Sequence, residues 1–157
     1  SNIEFKTNKE DSILRKAVEK EDRFNVLESA SSNVKFVLIS PIFGEVTSGF
    51  NYSTKHFATD IAVPTNSPVK SVANGTVILA EWTIQTGYVV IIEHPYGLTS
   101  VYKHNDSGLV SQGDPVKAGQ VIALSGNTGE LTTGPHLHFE LWRDGSPVNA
   151  EDYVSFE

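Results

Sequence analysis

A chain of 157 residues with a formal net charge of −7 has room for one domain with a sizeable core, and its acidic balance argues against a nucleic-acid footprint or attraction to anionic lipid. Cysteine is absent, which excludes disulfides and thiolate chemistry and leaves histidine and carboxylate as the metal ligands available. No apolar run reaches membrane-spanning length.

Methionine is also absent, even at position 1. This leads to the expectation of a processed or truncated product from which any targeting segment has been removed. Residues 1–8 are polar. From Lys9 to Glu28, the apolar residues Ile13, Leu14, Ala17, Val18, Phe24 and Leu27 recur at helical spacing in a charged background. The pattern predicts one amphipathic helix of structural character, packed on the domain or joined to an upstream domain or partner chain. Ser29 to Asn33 reads as a linker, so residues 1–33 are expected to form an N-terminal segment and residues 34–157 a β domain.

After Asn33 the pattern changes to short β-rich runs punctuated by glycine, proline and asparagine, as in an all-β sandwich or barrel. Strands are predicted at Val34 to Ile39, His56 to Val63, Val69 to Ala73, Thr76 to Trp82, Tyr88 to Glu93, Leu98 to His104, Val121 to Ser125 and His136 to Trp142. Asn74-Gly75 marks a turn. The stretches from Pro68 to Gly75 and from Pro115 to Ile122 both open with Pro-Val-Lys and run on to a glycine turn, a loose internal similarity.

The last predicted strand carries the most chemistry. His136, His138, Glu140 and Trp142 share one parity and Leu137, Phe139 and Leu141 the other, so both histidines project from one face of a half-buried strand. At roughly 7 Å apart, the two imidazoles suit a ligand and an acid/base partner better than two ligands of one ion. Glu140, on the same face, either accepts from a ligand N–H or is a solvated strand residue. Upstream, His56 and Asp60 are four residues apart and share a face on a strand or a helix. Asp60 is followed by Ile61-Ala62-Val63, a setting in which an unpaired carboxylate is costly, so a metal or hydrogen-bond partner is expected. Tyr102 and His104 share a parity and are expected to share a face; Tyr102 is read as a packing residue or as a donor to an oxyanion. His94, before Pro95, is placed in a hairpin turn with no metal role.

Taken together, His56-x3-Asp60, Tyr102-x-His104, the turn Gly126-Asn127-Thr128-Gly129 and Gly134-Pro135-His136-Leu137-His138-Phe139-Glu140 resemble the lysostaphin-like, LytM-type zinc metallopeptidases of bacterial cell walls. The resemblance runs from about Gly44 to Asn149 and leaves the N-terminal stripe outside. It implies a mainly β fold, a two-sheet antiparallel β sandwich to which the N-terminal helix is appended. It also implies one zinc per chain held by His56, Asp60 and His138, with His104 and His136 serving the water and the transition state. Two positions depart from the usual pattern: Ala58 and Asn51 stand where glycine is common, which bears on loop geometry and substrate preference.

Two imidazoles and one carboxylate leave a zinc site open for water, and either remaining histidine can take or return a proton. The implied activity is endopeptidase cleavage of peptidoglycan stem peptides or cross-bridges, in the bacterial envelope, periplasmic or extracellular. The tract from Gly126 to Pro135 is expected to lie beside the substrate groove. Two rival readings are a non-catalytic LytM-like module that binds the wall or activates another wall hydrolase, and a mononuclear iron oxygenase. The first typically lacks ligands, whereas the second usually has His-x-Asp and leaves His104 and His136 unexplained.

Overall fold

The computed structural model describes residues 36–129 and 134–157. In chain order the strands are β1 (Glu45–Ser48), β2 (Thr59–Ala62), β3 (Pro68–Lys70), β4 (Gly75–Thr83), β5 (Gly87–Glu93), β6 (Leu98–Gly108), β7 (Pro115–Val116), β8 (Val121–Ser125), β9 (His136–Arg143) and β10 (Ser146–Val148). A single turn of 3-10 helix, Ala150–Asp152, follows.

The expected two-sheet sandwich with an N-terminal helix is corrected on its architecture: the strands form one ten-stranded sheet with the path β1-β2-β9-β6-β5-β4-β7. The reason lies in β6. Its 11 residues pair with β5 and β9 along the first part and with β8 from Asn105 onward, so the ladder continues where two separate sheets were expected. Alternation in a sequence reports faces, whereas the strand neighbours come from the bends, and β6 bends through bulges. The helix expected over Lys9 to Glu28 lies outside the described residues, and among those residues the longest helical element is the three-residue turn.

The strand predicted at Val34 to Ile39 does not form over its described part. Residues 36–39 run as irregular chain, tied down by a hydrogen bond from Ile39 N–H to the Val72 carbonyl. Asn74-Gly75 lies at a bend between β3 and β4, but these strands do not pair: β3 pairs with β8, and β4 with β5 and β7. The two Pro-Val-Lys stretches instead meet each other. Ser71 N–H bonds the Gln120 carbonyl, Gly119 N–H bonds the Ser71 carbonyl, and Asn74 Oδ1 accepts from Ala118 N–H.

Leu137, Phe139 and Leu141 of β9 enter the main core with Ile61, Ile92 and Ile122, all at most 1% exposed. The opposite face of the sheet carries a smaller apolar cluster of Val89, Ile91, Val101 and Trp142. Strand β5 is thus buried on both faces, which accounts for its unbroken run Val89-Val90-Ile91-Ile92. Tyr102 lies in the main core at 0% exposure, packed on Phe139 with ring centroids 5.3 Å apart. Its hydroxyl donates to Ser100 Oγ at 2.8 Å and accepts from Val72 N–H at 3.1 Å. Ser100 Oγ in turn donates to His94 Nε2 at 2.7 Å, and His94 Nδ1–H bonds the Asn74 carbonyl. His94 and Tyr102 therefore belong to one buried chain of hydrogen bonds within the core.

Candidate metal centre

Strand register sets the first part of the site. Asp60 of β2 lies directly opposite His138 of β9, which lies opposite Lys103 of β6. Residues opposite one another in a ladder project to the same side, so the three form a row across the sheet. His56 precedes β2 in a short loop closed by paired hydrogen bonds between the backbones of Asn51 and His56. Asn51, where glycine is common, uses its Oδ1 to accept from Thr54 N–H and so supports this turn; Ala58 is buried at 3% exposure.

His104 reaches the site by another route. Continued alternation would point it, like Tyr102, into the core. Instead β6 carries an extra residue between Tyr102, opposite Val90, and Asn105, opposite Tyr88. His104 takes a left-handed φ of 66° in this bulge, which turns its ring to the other side. There it lies with ring centroids 5.1 Å from His136 and 5.5 Å from His138. The expectation that Tyr102 and His104 share a face fails for this reason, and the oxyanion-donor reading of Tyr102 fails with it.

The structure thus brings together all five residues singled out by the motifs: His56, Asp60, His104, His136 and His138. Each imidazole gives one N–H to a fixed outer acceptor. His56 Nδ1–H bonds the Gly49 carbonyl at 2.8 Å, His104 Nδ1–H the Thr128 carbonyl at 2.7 Å, and His136 Nδ1–H the Gly134 carbonyl at 2.7 Å. His138 alone is turned the other way, with its Nε2–H bonded to Glu140 Oε2 at 2.8 Å. The remaining nitrogens of His56 and His138 face Asp60: His56 Nε2 is 3.1 Å from Oδ2 and His138 Nδ1 is 3.1 Å from Oδ1, while His136 Nε2 stands 3.8 Å from Oδ1.

Because both rings have already committed a proton outward, these inner contacts are favourable only with a second ring proton or a cation between nitrogen and oxygen. Asp60 Oδ1 is buried and makes no hydrogen bond of good geometry. The donor atoms of His56, Asp60 and His138 lie within 4.8 Å of one another, and an oxygen with two imidazole nitrogens suits a borderline ion such as zinc. The residues fit a metal.

The electrostatics follow from burial and neighbours. Burial works to raise the Asp60 carboxyl, but the close contact and charge of His138, with the charges of His56 and His136, outweigh it and hold the group below its ordinary value. Burial works to lower His138, yet Asp60 and Glu140 on its two sides raise it above the ordinary imidazole value. His104 is pushed down to about 4 by burial and by the neighbouring His138 and His136, against the opposing bond to Thr128. It is a neutral ring with a free inner lone pair at working pH. Glu140 is buried, which alone would raise it; Lys103 and His138 hold it well below the carboxylate range.

Several participants were not read from the sequence. Lys103 bonds Glu140 Oε2 at 3.0 Å, and its only sequence signal was its place on the strand that ends in His104. The carbonyls of Gly49, Thr128 and Gly134 carry no side-chain signal. Part of the expected groove loop, residues 130–133, lies outside the described residues.

Fold and site define a class: a candidate mononuclear centre of two histidines and one carboxylate on an antiparallel sheet, flanked by two further histidines. The chain belongs to Peptidase family M23, whose family model matches residues 54–150. It is 40% identical over 121 residues to the peptidoglycan DD-endopeptidase ShyB of Vibrio cholerae, a match covering 71% of this chain and 28% of that protein. It is 44% identical over 94 residues to the murein hydrolase activator EnvC of Escherichia coli, covering 60% of this chain and 22% of the other. A solved zinc-containing peptidase from Vibrio cholerae is similar with a TM-score of 0.68 at 38% identity, over 74% of this chain and 39% of that one. The chain spans less than a third of the length of either curated relative. Membership of a peptidase family leaves the iron-oxygenase reading without support.

Proposed function

We propose that this chain carries the catalytic domain, residues 34–157, of a zinc-dependent endopeptidase that hydrolyses peptide bonds in peptidoglycan stem peptides or cross-bridges. The observation that carries the reading is the shared orientation of the histidines: each has its outer N–H anchored, and the inner nitrogens of His56 and His138 converge on Asp60. Such convergence serves an ion and a reaction beside it, and a purely structural β domain gains nothing from it.

In this reading His56 Nε2, the Asp60 carboxylate and His138 Nδ1 hold one zinc. Zinc supplies a Lewis acid that polarises a peptide carbonyl and lowers the pKa of water from about 15.7 to about 7. His104 and His136 handle the protons: a neutral inner nitrogen accepts one from the attacking water, and that same proton is then passed to the leaving amine, a task open to either ring. Their outer bonds to the Thr128 and Gly134 carbonyls keep both rings in the tautomer whose Nε2 is directed inward. ShyB, a peptidoglycan DD-endopeptidase by name, and the zinc-containing peptidase structure support both substrate and metal. The corresponding location is the bacterial envelope, periplasmic or extracellular.

The similarity to EnvC, a murein hydrolase activator, favours one second reading, in which the domain stimulates another wall enzyme without cutting. A silent module has no use for the full set of five residues. Digestion of purified peptidoglycan by the zinc-loaded protein, followed by mass spectrometry of the fragments, separates the two. New free amine and carboxyl termini at a peptide bond are expected. Intact peptidoglycan, with stimulation of a separate wall hydrolase, would replace the enzymatic reading by the activator one.

A further inference from the structure

Behind His138, on the side away from Asp60, lies a buried charged group that the hydrolytic chemistry does not use. Glu140 is 7% exposed, and both of its oxygens are engaged. Oε2 receives His138 Nε2–H at 2.8 Å and the Lys103 ammonium at 3.0 Å; Oε1 receives the Trp142 indole N–H at 3.0 Å. An isolated carboxylate at this depth would be costly. Lys103 answers the charge, and its position opposite His138 across the β6–β9 ladder puts the ammonium where it is needed. Trp142 belongs to the smaller apolar cluster, so its indole fixes Glu140 against the rigid sheet.

His138 differs from the other three histidines of the site in presenting Nδ1 inward. A backbone carbonyl fixes each of the others through Nδ1–H, whereas the outer nitrogen of His138 is Nε2, at the far end of the ring, and Glu140 meets it there. Without that acceptor the ring could turn over and carry its Nδ1 lone pair away from Asp60. We propose that Glu140, charge-balanced by Lys103 and fixed by Trp142, is the positioning residue of the metal centre, locking His138 with Nδ1 directed at the ion. This rests on the reading of His138 as a ligand. Carboxylates behind a ligating imidazole orient the ring and raise its basicity, and their loss commonly weakens metal binding by about 10- to 100-fold.

Stability and positioning are separable here, because Lys103 and Glu140 neutralise each other. Lys103→Met alone strands a buried negative charge and should lower the melting temperature, with Lys103→Arg restoring it. The double variant Lys103→Met/Glu140→Leu removes both charges and should recover the melting temperature of the metal-free protein, since an apolar pair can replace a buried ion pair at little cost. It still lacks the acceptor for His138. The test is zinc affinity by chelator competition on folded protein. The expected order is wild type tightest, Glu140→Gln about tenfold weaker because an uncharged acceptor remains, and the double variant about a hundredfold weaker. Wild-type zinc affinity in a folded double variant would overturn the proposal. His138→Ala, measured alongside, tells the two failures apart: if it too binds zinc as the wild type does, the ligand reading itself has failed.

Discussion

Asp60 and His138 face each other from the middle of two paired strands, each fixed by a ladder with neighbours on both sides. His104 stands at a bulge with a left-handed backbone, held by its own N–H to the Thr86 carbonyl and by its ring to the Thr128 carbonyl. Those two carbonyls belong to the β4–β5 turn and the loop after β8. One side of the site is thus built from strand register and buried charge, and the other from the fit of two loops around a bulge. On the proposed function, the difference teaches where damage should fall: changes to the ladder residues should release the metal, whereas changes to the loops should leave the metal in place and misdirect His104.

The largest effect is expected for Asp60→Ala. It removes the carboxylate that lies between His56 and His138, so zinc and peptidoglycan digestion should disappear together, as read by metal analysis and fragment release. Zinc at full occupancy in that variant would break the comparison at its stronger side. Next come His104→Ala and His136→Ala, which should keep zinc while turnover falls by roughly 10²-fold or more, the scale of a lost acid/base group.

A smaller effect should follow from Gly129→Ala. Gly129 has φ +98°, and a Cβ there would lie 2.7 Å from the Gln85 carbonyl oxygen and the Gly87 nitrogen. The substitution should push the loop after β8 away from the β4–β5 turn and shift the neighbouring Thr128 carbonyl that holds His104. Turnover should fall on the order of tenfold with zinc retained, since modest misplacement of a catalytic group is costly. Unchanged kinetics would show that the loop fit does not control His104.

The smallest effect on activity is expected at His94, in the core away from both sides. Burial lowers it from 6.5 to about 4, against the bond to the Asn74 carbonyl. Its folded value lies below its unfolded one, so the unfolded chain binds the extra proton between these limits. The neutral ring's contribution to stability is therefore complete above pH 6.5 and lost as pH falls toward 4, at most about 3 kcal/mol. His94→Gln should flatten the fall in stability between pH 7 and pH 4 relative to wild type while leaving turnover at pH 7 within about twofold. Parallel acid profiles for the two proteins would count against this role.

Side-chain chemistry was the legible part of the molecule. The motif spacings singled out the five residues that converge, because histidine and aspartate at fixed intervals carry their meaning in the sequence. What escaped depends on backbone. The bulge that turns His104 out of the Tyr102 face has no residue signature in Tyr-Lys-His-Asn, and the carbonyls of Gly49, Thr128 and Gly134 belong to any residue. Lys103 escaped because its significance comes from lying opposite His138, a register that only strand pairing reveals. The single sheet was missed for a related reason: seven of the eight predicted strands overlap observed ones, though Val69 to Ala73 shares only two residues with β3 and His56 falls outside β2, but alternation does not say that β6 passes from β9 to β8 without a break. The short strands β1, β7 and β10, of four, two and three residues, were not read from the sequence.

The proposed division of labour between the two histidines of β9 tests the central claim most directly. They are two residues apart on one face, yet His138 Nδ1 approaches Asp60 Oδ1 to 3.1 Å while His136 Nε2 stays at 3.8 Å. Zinc content of purified His138→Ala and His136→Ala, measured by elemental analysis beside the wild type, should show the metal lost from the first and retained at one per chain in the second. Retention in His138→Ala with loss in His136→Ala would contradict the account, since ligand and proton carrier would then have changed places.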